Sequence, residues 1–250
     1  MPAHRPRKRF GQHFLHDPGV LAKTVAAVAP QSGEVLVEIG PGEGALTRRL
    51  LERIERLQAI EIDRDLAARL RSEFPAERLT VHCADALKFD YAALPAGARL
   101  VGNLPYNIST PLLFHLLGFA ERIRDMHFML QREVVERMVA KPSTPEYGRL
   151  SVMLQTRFAM KMLFSVSPGA FRPPPKVESA VVRLVPLAQK PACDEQRLAE
   201  IVRRAFSARR KTLRNALGLD AADFAALRID PGLRPENLSP GDYVCIAALR

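Results

Sequence analysis

Strand-like and helix-like patterns alternate through the first half of this chain. The run EVLVEIG (34–40) is rich in β-branched residues and ends in glycine, and ALTRRLLERI (45–54) then places apolar residues at helical spacing. The same order recurs in RLQAIEI and RDLAARLRSEF, and further strand patterns follow in RLTVHCAD, ARLVGNL and IRDMHFML. Because alternating strands and helices favour parallel pairing, the sequence predicts an α/β fold with a doubly wound sheet.

The pattern changes in the second half of the chain. TRFAMKMLFSV (156–166) and SAVVRLVPL (179–187) are strand patterns joined by a proline-rich connection without a helix, which predicts a closing antiparallel pair. PLAQKPACDE (186–195) has no periodicity, as is typical of a linker, and only helical patterns follow it. We therefore predict an α/β domain over residues 1–187 and a small all-helical C-terminal domain over residues 188–250.

Basic residues dominate the charge of the protein. The chain of 250 residues has a formal net charge of +10 at pH 7, which is typical of proteins that bind a polyanion, although an arginine-rich proteome would also raise it. The basic side chains cluster near the N-terminus, at Arg5, Arg7, Lys8 and Arg9, and six Arg or Lys lie within residues 203–214. This density suits a phosphate backbone and predicts a nucleic acid partner.

Several classes of protein are disfavoured by the sequence. No apolar run approaches the ~18 residues of a transmembrane helix, and the basic N-terminus has no apolar region typical of a secretion signal, so we expect a cytoplasmic protein without a membrane partner. Cys83, Cys193 and Cys245 form no CxxC or Cys/His cluster. This spacing argues against a disulfide framework and against a metal site.

The turn after the first strand carries a cluster of glycines. In VEIGPGEGALT, Gly40, Gly42 and Gly44 would let the backbone approach a ligand, although a plain tight turn also uses glycine. Glu61 ends the second strand, where an acidic side chain can accept both hydroxyls of a ribose. Asp85 ends the third strand, where a carboxylate can accept from an adenine amino group. We therefore predict an adenosine-containing ligand, with a helix N-cap or a solvated loop charge as the alternative role for each carboxylate.

The spacing of the glycines narrows the choice of cofactor. GxGxG with Glu38 before it resembles the S-adenosylmethionine site of class I (Rossmann-like) methyltransferases more closely than the GxGxxG of dinucleotide sites. The resemblance implies S-adenosyl-L-methionine as the cofactor, and dinucleotide binding stays open as an alternative. For Asp63 or Asp65 we favour that alternative, a helix N-cap or a solvated loop charge.

A second motif follows the fourth strand. Asn-Leu-Pro-Tyr, in VGNLPYNIST, resembles the catalytic motif of methyltransferases that modify an exocyclic amino group of a base. The lone pair of adenine N6 is delocalised into the ring, so catalysis has to localise that pair. The side-chain oxygen of Asn103 and the carbonyl of Leu104 would accept the two N6 hydrogens. Pro105 would stiffen this turn, and Tyr106 would stack on a flipped-out base. Phe171, in AFRPPPKV, is a candidate for closing over the other face of the base.

Six segments together resemble one enzyme family. FGQHFL, EIGPGEGALT, EID, NLPYNIST, AFRPPPKV and FSARRKTLRNAL are similar, in sequence and in order, to the bacterial small-subunit ribosomal RNA adenine dimethyltransferases, from Phe10 to about Leu217. The resemblance implies an S-adenosylmethionine-dependent enzyme that converts two adjacent adenosines near the 3′ end of 16S rRNA to N6,N6-dimethyladenosine during small-subunit biogenesis. It also implies that the helical domain binds the rRNA or the small-subunit precursor, and we expect a monomer.

The same resemblance implies a set of cofactor contacts, namely His13, Leu15, Gly40, Gly42, Glu61, Asp85 and Asn103. The family often has asparagine where this chain has His13, so we expect a backbone contact at that position. Two other interpretations stay open. One is a related methyltransferase of large-subunit rRNA, and the other is a non-enzymatic assembly factor that keeps the fold as an RNA-binding platform.

Overall fold

The computed structural model describes residues 12–189 and 192–249. Its strands are β1 Phe14–Leu15, β2 Leu36–Ile39, β3 Leu57–Glu61, β4 Leu79–Cys83, β5 Ala98–Asn103, β6 Ile123–Gln131, β7 Phe158–Val166, β8 Phe171–Arg172 and β9 Ser179–Pro186. Its α-helices are α1 Pro18–Val28, α2 Ala45–Leu51, α3 Arg64–Glu73, α4 Tyr106–Leu117, α5 Arg132–Val139, α6 Arg149–Gln155, α7 Glu195–Ser207, α8 Leu213–Leu217, α9 Ala221–Leu227 and α10 Pro240–Ala248. Short 3₁₀ helices occupy Tyr91–Ala93, Ala120–Arg122, Pro168–Ala170 and Pro235–Asn237.

The predicted basic cluster at Arg5, Arg7, Lys8 and Arg9 lies outside the described residues.

Seven strands form the main sheet, in the order β4-β3-β2-β5-β6-β9-β7. The pairs β2–β3, β3–β4, β2–β5 and β5–β6 are parallel, and β9 runs antiparallel to β6. This topology confirms the predicted doubly wound sheet. Because β3 and β5 lie on opposite sides of β2, the order of strand addition reverses at β2, and a ligand crevice is expected outside the carboxyl ends of these strands.

A small second sheet anchors the N-terminal segment. β1 pairs antiparallel with β8, and Leu15 lies opposite Phe171. Both side chains are buried in the hydrophobic core. Strands of two residues carry no alternation of their own, so the sequence pattern did not predict them. Their pairing holds Gln12–Leu15 against the α/β core.

The chain divides into two compact units. The first contains the described residues up to 135 together with 161–186, and the second contains 136–160 and the residues from 187 onward. The predicted boundary at 187 had left residues 136–160 in the first domain, whereas the structure groups them with the C-terminal helices. Their apolar side chains are the physical reason: the fully buried Tyr147 donates its hydroxyl to the Leu238 carbonyl at 2.9 Å, and its ring contacts the ring of Phe206.

A buried arginine anchors the amino end of β5. Arg99 donates to both carboxylate oxygens of Asp125, at 2.7 and 3.0 Å, and to Glu34 at 2.7 Å. It also donates to the Val28 carbonyl at the end of α1. Burial alone would raise the pKa of Asp125, but the bonds from Arg99 and its charge hold that pKa below its usual value. The strand that carries Asn103 at its other end is therefore tied to β6 and α1.

Candidate active site

A cavity opens at the carboxyl ends of the parallel strands of the first unit. Its walls come from five segments of the chain. The lining residues are 12–15, 38–43 with 45–46, 60–62, 84–86 and 103–108. The cavity brings together most of the predicted site residues: His13, Leu15, Gly40, Gly42, Glu61, Asp85, Asn103, Leu104, Pro105 and Tyr106. These residues are far apart in sequence, so the parallel sheet is what assembles them.

The glycine loop has a backbone that only glycine adopts readily. Gly40, Gly42 and Gly44 have φ values of 69°, 58° and 79°. A Cβ on Gly42 would also lie 2.9 Å from the ring of Phe14, which is closer than carbon atoms approach one another. The loop and the N-terminal segment are therefore in direct contact, and no side chain separates the Gly42 backbone from Phe14.

The carboxylate of Glu61 orders this loop from the end of β3. It accepts hydrogen bonds from the Gly42 N–H at 3.1 Å and from the Asp63 N–H at 2.9 Å. Burial raises the pKa of Glu61, although these two backbone bonds oppose the rise. A carboxylate has about four acceptor positions, so about two remain for a ligand. The loop-ordering role was not predicted from the sequence.

Two further carboxylates face the cavity. Asp85 accepts from the Leu87 N–H at 2.9 Å through one oxygen, so it closes its own turn and keeps a second oxygen for a ligand. Glu38 is almost fully buried and accepts from the Thr47 hydroxyl at 2.6 Å. Asp63 caps α3 by accepting from the Asp65 N–H, which confirms the capping role predicted for it.

The Asn-Leu-Pro-Tyr motif forms the turn from β5 into α4. The side-chain nitrogen of Asn103 donates to the His13 carbonyl at 2.9 Å, and Leu104 N–H donates to the Met129 carbonyl at 3.1 Å. With its nitrogen held in this way, Asn103 has its Oδ1 left as an acceptor, and no donor within the described ranges bonds the Leu104 carbonyl oxygen. The motif thus keeps the two acceptors that its predicted chemistry requires.

Tyr106, the first residue of α4, is half-buried. Its hydroxyl lies 2.7 Å from the Ser179 hydroxyl, and its ring stacks on the imidazole of His13 with centroids 5.6 Å apart. Burial raises the pKa of Tyr106, although the hydrogen bond from Ser179 opposes the rise. Neither Ser179 nor the His13 ring was predicted to contact this tyrosine.

Phe171 does not belong to the cavity. It is only 2% exposed, it pairs with Leu15 across β1 and β8, and it packs in the hydrophobic core. Its predicted role of closing over the base therefore needs correction, because the side chain is already covered by apolar neighbours.

Ile62 was missed by the sequence analysis, yet it lines the cavity and is 45% exposed, which is unusual for an isoleucine beside a buried strand.

In residues 12–189 and 192–249, none of the helices has the length and apolar character of a transmembrane span. Within the same ranges, no group of His, Cys, Asp and Glu side chains is arranged to hold a metal ion.

The sheet order, the glycine turn after β2 and the acidic residues at the ends of β3 and β4 define a class I methyltransferase fold. Residues 3–249 match the family model described as ribosomal RNA adenine dimethylase, and the chain belongs to that family. The resemblance noted in the sequence motifs is thereby confirmed.

Curated relatives and solved structures agree with this assignment. "Ribosomal RNA small subunit methyltransferase A" of Thiobacillus denitrificans is 63% identical over 249 residues, which is 98% of each chain. The protein of the same name from Aromatoleum aromaticum is 62% identical, over 98% of this chain and 94% of its own. A dimethyladenosine transferase from Plasmodium falciparum has a TM-score of 0.81 at 26% identity, covering 94% of this chain and 96% of that one. The 23S rRNA methyltransferase ErmE has a TM-score of 0.68 at 27% identity, with 93% and 97% covered.

The buried carboxyl of Glu38 should make the stability of the protein depend on pH. Burial raises the pKa of its carboxyl from 4.5 to about 7, against the hydrogen bond from Thr47, and the nearby charge of Glu61 raises it further. The unfolded chain loses this proton at lower pH than the folded protein, so the free energy of unfolding falls as the pH rises from 4.5 to about 7. Glu38→Gln keeps an oxygen for Thr47 and should remove this fall.

We predict that the free energy of unfolding of Glu38→Gln rises by about 1 to 3 kcal/mol relative to that of the wild type as the pH increases from about 5 to about 8. Urea denaturation across that range measures it. Glu55→Gln, at an exposed position, serves as the matched control and should follow the wild-type curve. Parallel curves for Glu38→Gln and wild type would contradict the titration of Glu38 in this range.

Proposed function

We propose that this ribosomal RNA adenine dimethylase transfers methyl groups from S-adenosylmethionine to N6 of two adjacent adenosines near the 3′ end of 16S rRNA, giving N6,N6-dimethyladenosine. The observation that carries the proposal is the Asn103 amide. Its nitrogen is held by the His13 carbonyl, and its oxygen is left as an acceptor in the cavity that also contains Glu61 and the glycine loop. A methyl-transfer assay on undermodified small ribosomal subunits, with the modified nucleosides identified by mass spectrometry, tests it directly.

The cavity suits an adenosine compound with a positive charge. The unfilled acceptor positions of Glu61 fit two ribose hydroxyls, and the free oxygen of Asp85 fits an adenine amino group. Exposed Ile62 offers an apolar surface for the adenine ring. Gly40 and Gly42 line the cavity without side chains, so a ligand can approach the loop backbone closely. S-adenosylmethionine, when bound there, supplies an electrophilic methyl group on a sulfonium ion.

The turn after β5 suits the amino group that receives the methyl. Asn103 Oδ1 and the Leu104 carbonyl accept the two N6 hydrogens, and these bonds strengthen as N6 becomes pyramidal and its lone pair turns away from the ring. Both acceptors are neutral, so they do not remove the proton before transfer. Tyr106 provides the aromatic face for a base that has left its helix.

The second unit supplies the basic surface for the rRNA. Arg210, Lys211 and Arg214 are exposed and make no ion pair within the described ranges. Arg209 differs, because it pairs with Glu236 and donates to the Pro145 carbonyl at 2.9 Å. Arg203 also pairs with Glu200, so part of the predicted 203–214 cluster is structural, and Arg210, Lys211 and Arg214 are left for phosphates.

We also propose that the protein acts as a cytoplasmic monomer on small-subunit precursors. Support for the cytoplasm comes from the substrate, since bacterial ribosomes are assembled there.

Replacing Glu61 tests the cofactor site. Glu61→Ala removes acceptors for the ribose and the bond that orders Gly42, so S-adenosylmethionine affinity should fall about 10- to 100-fold, or ~1.5 to 3 kcal/mol. Titration calorimetry measures the affinity. Glu55→Ala removes the same charge at an exposed position outside the cavity and should bind normally. Unchanged affinity in folded Glu61→Ala protein would refute the assignment.

Replacing Asn103 tests the chemistry. Asn103→Ala should lower the single-turnover methylation rate at saturating cofactor by roughly 10² to 10³, because it removes a bond that strengthens only in the transition state. RNA binding should change little. A near-normal saturated rate would mean that the motif acts only as a turn.

Neutralising the free cations tests the RNA surface. Arg210→Ala/Lys211→Ala/Arg214→Ala should weaken rRNA binding and reduce the slope of log K against log salt by about 2 to 3 units. Cofactor affinity should stay the same. Arg53→Ala/Arg56→Ala/Lys88→Ala makes the same charge change at exposed positions of the first unit. If the slope falls by the same amount in both triple variants, the net charge of the protein explains the RNA binding, and this surface does not.

A further inference from the structure

The ring of Tyr106 is held at two points by residues outside its motif. Its hydroxyl bonds Ser179, and one of its faces is covered by His13. Both contacts come from distant parts of the first unit, β9 and the N-terminal segment. A residue that only filled space would not need both.

The imidazole of His13 is itself fixed. Its Nδ1 lies 2.7 Å from the Pro173 carbonyl oxygen. Because a carbonyl only accepts, Nδ1 must carry the hydrogen of this bond. The backbone of the same residue accepts from Asn103, so His13 is tied on both its main-chain and its side-chain atoms. An asparagine at this position would have no ring to stack on Tyr106.

The His13 contact limits which face of Tyr106 a base can stack on. Their centroids are 5.6 Å apart and their planes are inclined by 29°. A base inserted between the two rings would need two van der Waals contacts in series, about 7 Å. The rings are closer than that, so the base has to stack on the face that His13 does not cover.

Ser179 holds the other end of the ring. It is fully buried, it begins β9, and it lies opposite Gln131 in the antiparallel pair with β6. The sheet therefore fixes the Ser179 backbone, burial confines its side chain, and the 2.7 Å hydrogen bond ties the Tyr106 oxygen to this place. A ring fixed in this way loses little further freedom when a base stacks on it.

We propose that His13 and Ser179 are positioning residues that hold the Tyr106 ring with one face open for the target adenine. This proposal rests on the proposed function for the identity of the base. It assigns no covalent step to either residue. It gives the His13 side chain a role in holding Tyr106, in addition to the backbone contact with the cofactor that the sequence predicts for this residue.

A double-mutant cycle tests the Ser179 contact. With undermodified small ribosomal subunits as substrate, Ser179→Ala should lower kcat/KM about 3- to 10-fold, and Tyr106→Phe should cause a similar loss. Combining the two should add no more than about twofold, because each removes the same bond. Losses that multiply, or no loss in Ser179→Ala, would overturn the proposal. Cofactor affinity, measured by calorimetry, should be normal in all three variants.

The His13 ring is tested by two variants that keep the backbone. His13→Asn should lower kcat/KM about 3- to 10-fold, and His13→Phe, which keeps an aromatic face, should recover the greater part of that loss. An equal loss in both would overturn the stacking role.

A readout independent of activity separates this proposal from the proposed function. The chain has four tyrosines, so ring resonances of ¹³C-labelled tyrosine can be assigned by substitution. In the free protein, His13→Asn and Ser179→Ala should each shift the Tyr106 ring resonances, whereas Glu55→Gln should not. Unmoved resonances would overturn the positioning. Failure of the wild-type protein to form N6,N6-dimethyladenosine would overturn the proposed function alone.

Discussion

The site depends on the close approach of three chain segments at Gly42. The backbone of Gly42 has positive φ, its N–H donates to Glu61, and its missing side chain leaves room for the ring of Phe14. A methyl group here would strain the turn and displace Phe14, and β1 would move with it. The loop after β2, the end of β3 and the N-terminal segment therefore hold one another in place.

The N-terminal segment connects the glycine loop to the turn after β5. Phe14 contacts the loop, while the carbonyl and ring of His13 contact Asn103 and Tyr106. Pairing of β1 with β8 keeps the segment in register. At the far end of β5, Arg99 binds β6 and α1, so the strand that presents Asn103 is restrained at both ends. Such preorganisation suits the proposed chemistry, in which two fixed hydrogen-bond acceptors stabilise the transition state.

Charge is distributed unevenly in a protein of net charge +10. The cavity of the first unit contains Glu38, Glu61 and Asp85, whereas the second unit exposes Arg210 and Lys211, which make no ion pair within the described residues. An acidic cavity favours a small cationic ligand over phosphate, and an exposed basic surface favours a phosphate-bearing polyanion. This distribution of charge fits the proposed sulfonium cofactor and the proposed RNA substrate.

Local patterns in the sequence determined the doubly wound sheet, the glycine loop, and the placement of Glu61, Asp85 and Asn103 at strand ends. They could do so because strand and helix periods, φ requirements and the meeting of parallel carboxyl ends are short-range or topological properties. Tertiary structure alone decided that Phe171 is buried, that residues 136–160 join the C-terminal helices, and that Ser179 and the His13 ring hold Tyr106. These features arise from packing between residues far apart in the chain, and no period or motif in a single sequence encodes which distant side chain will fill a given contact.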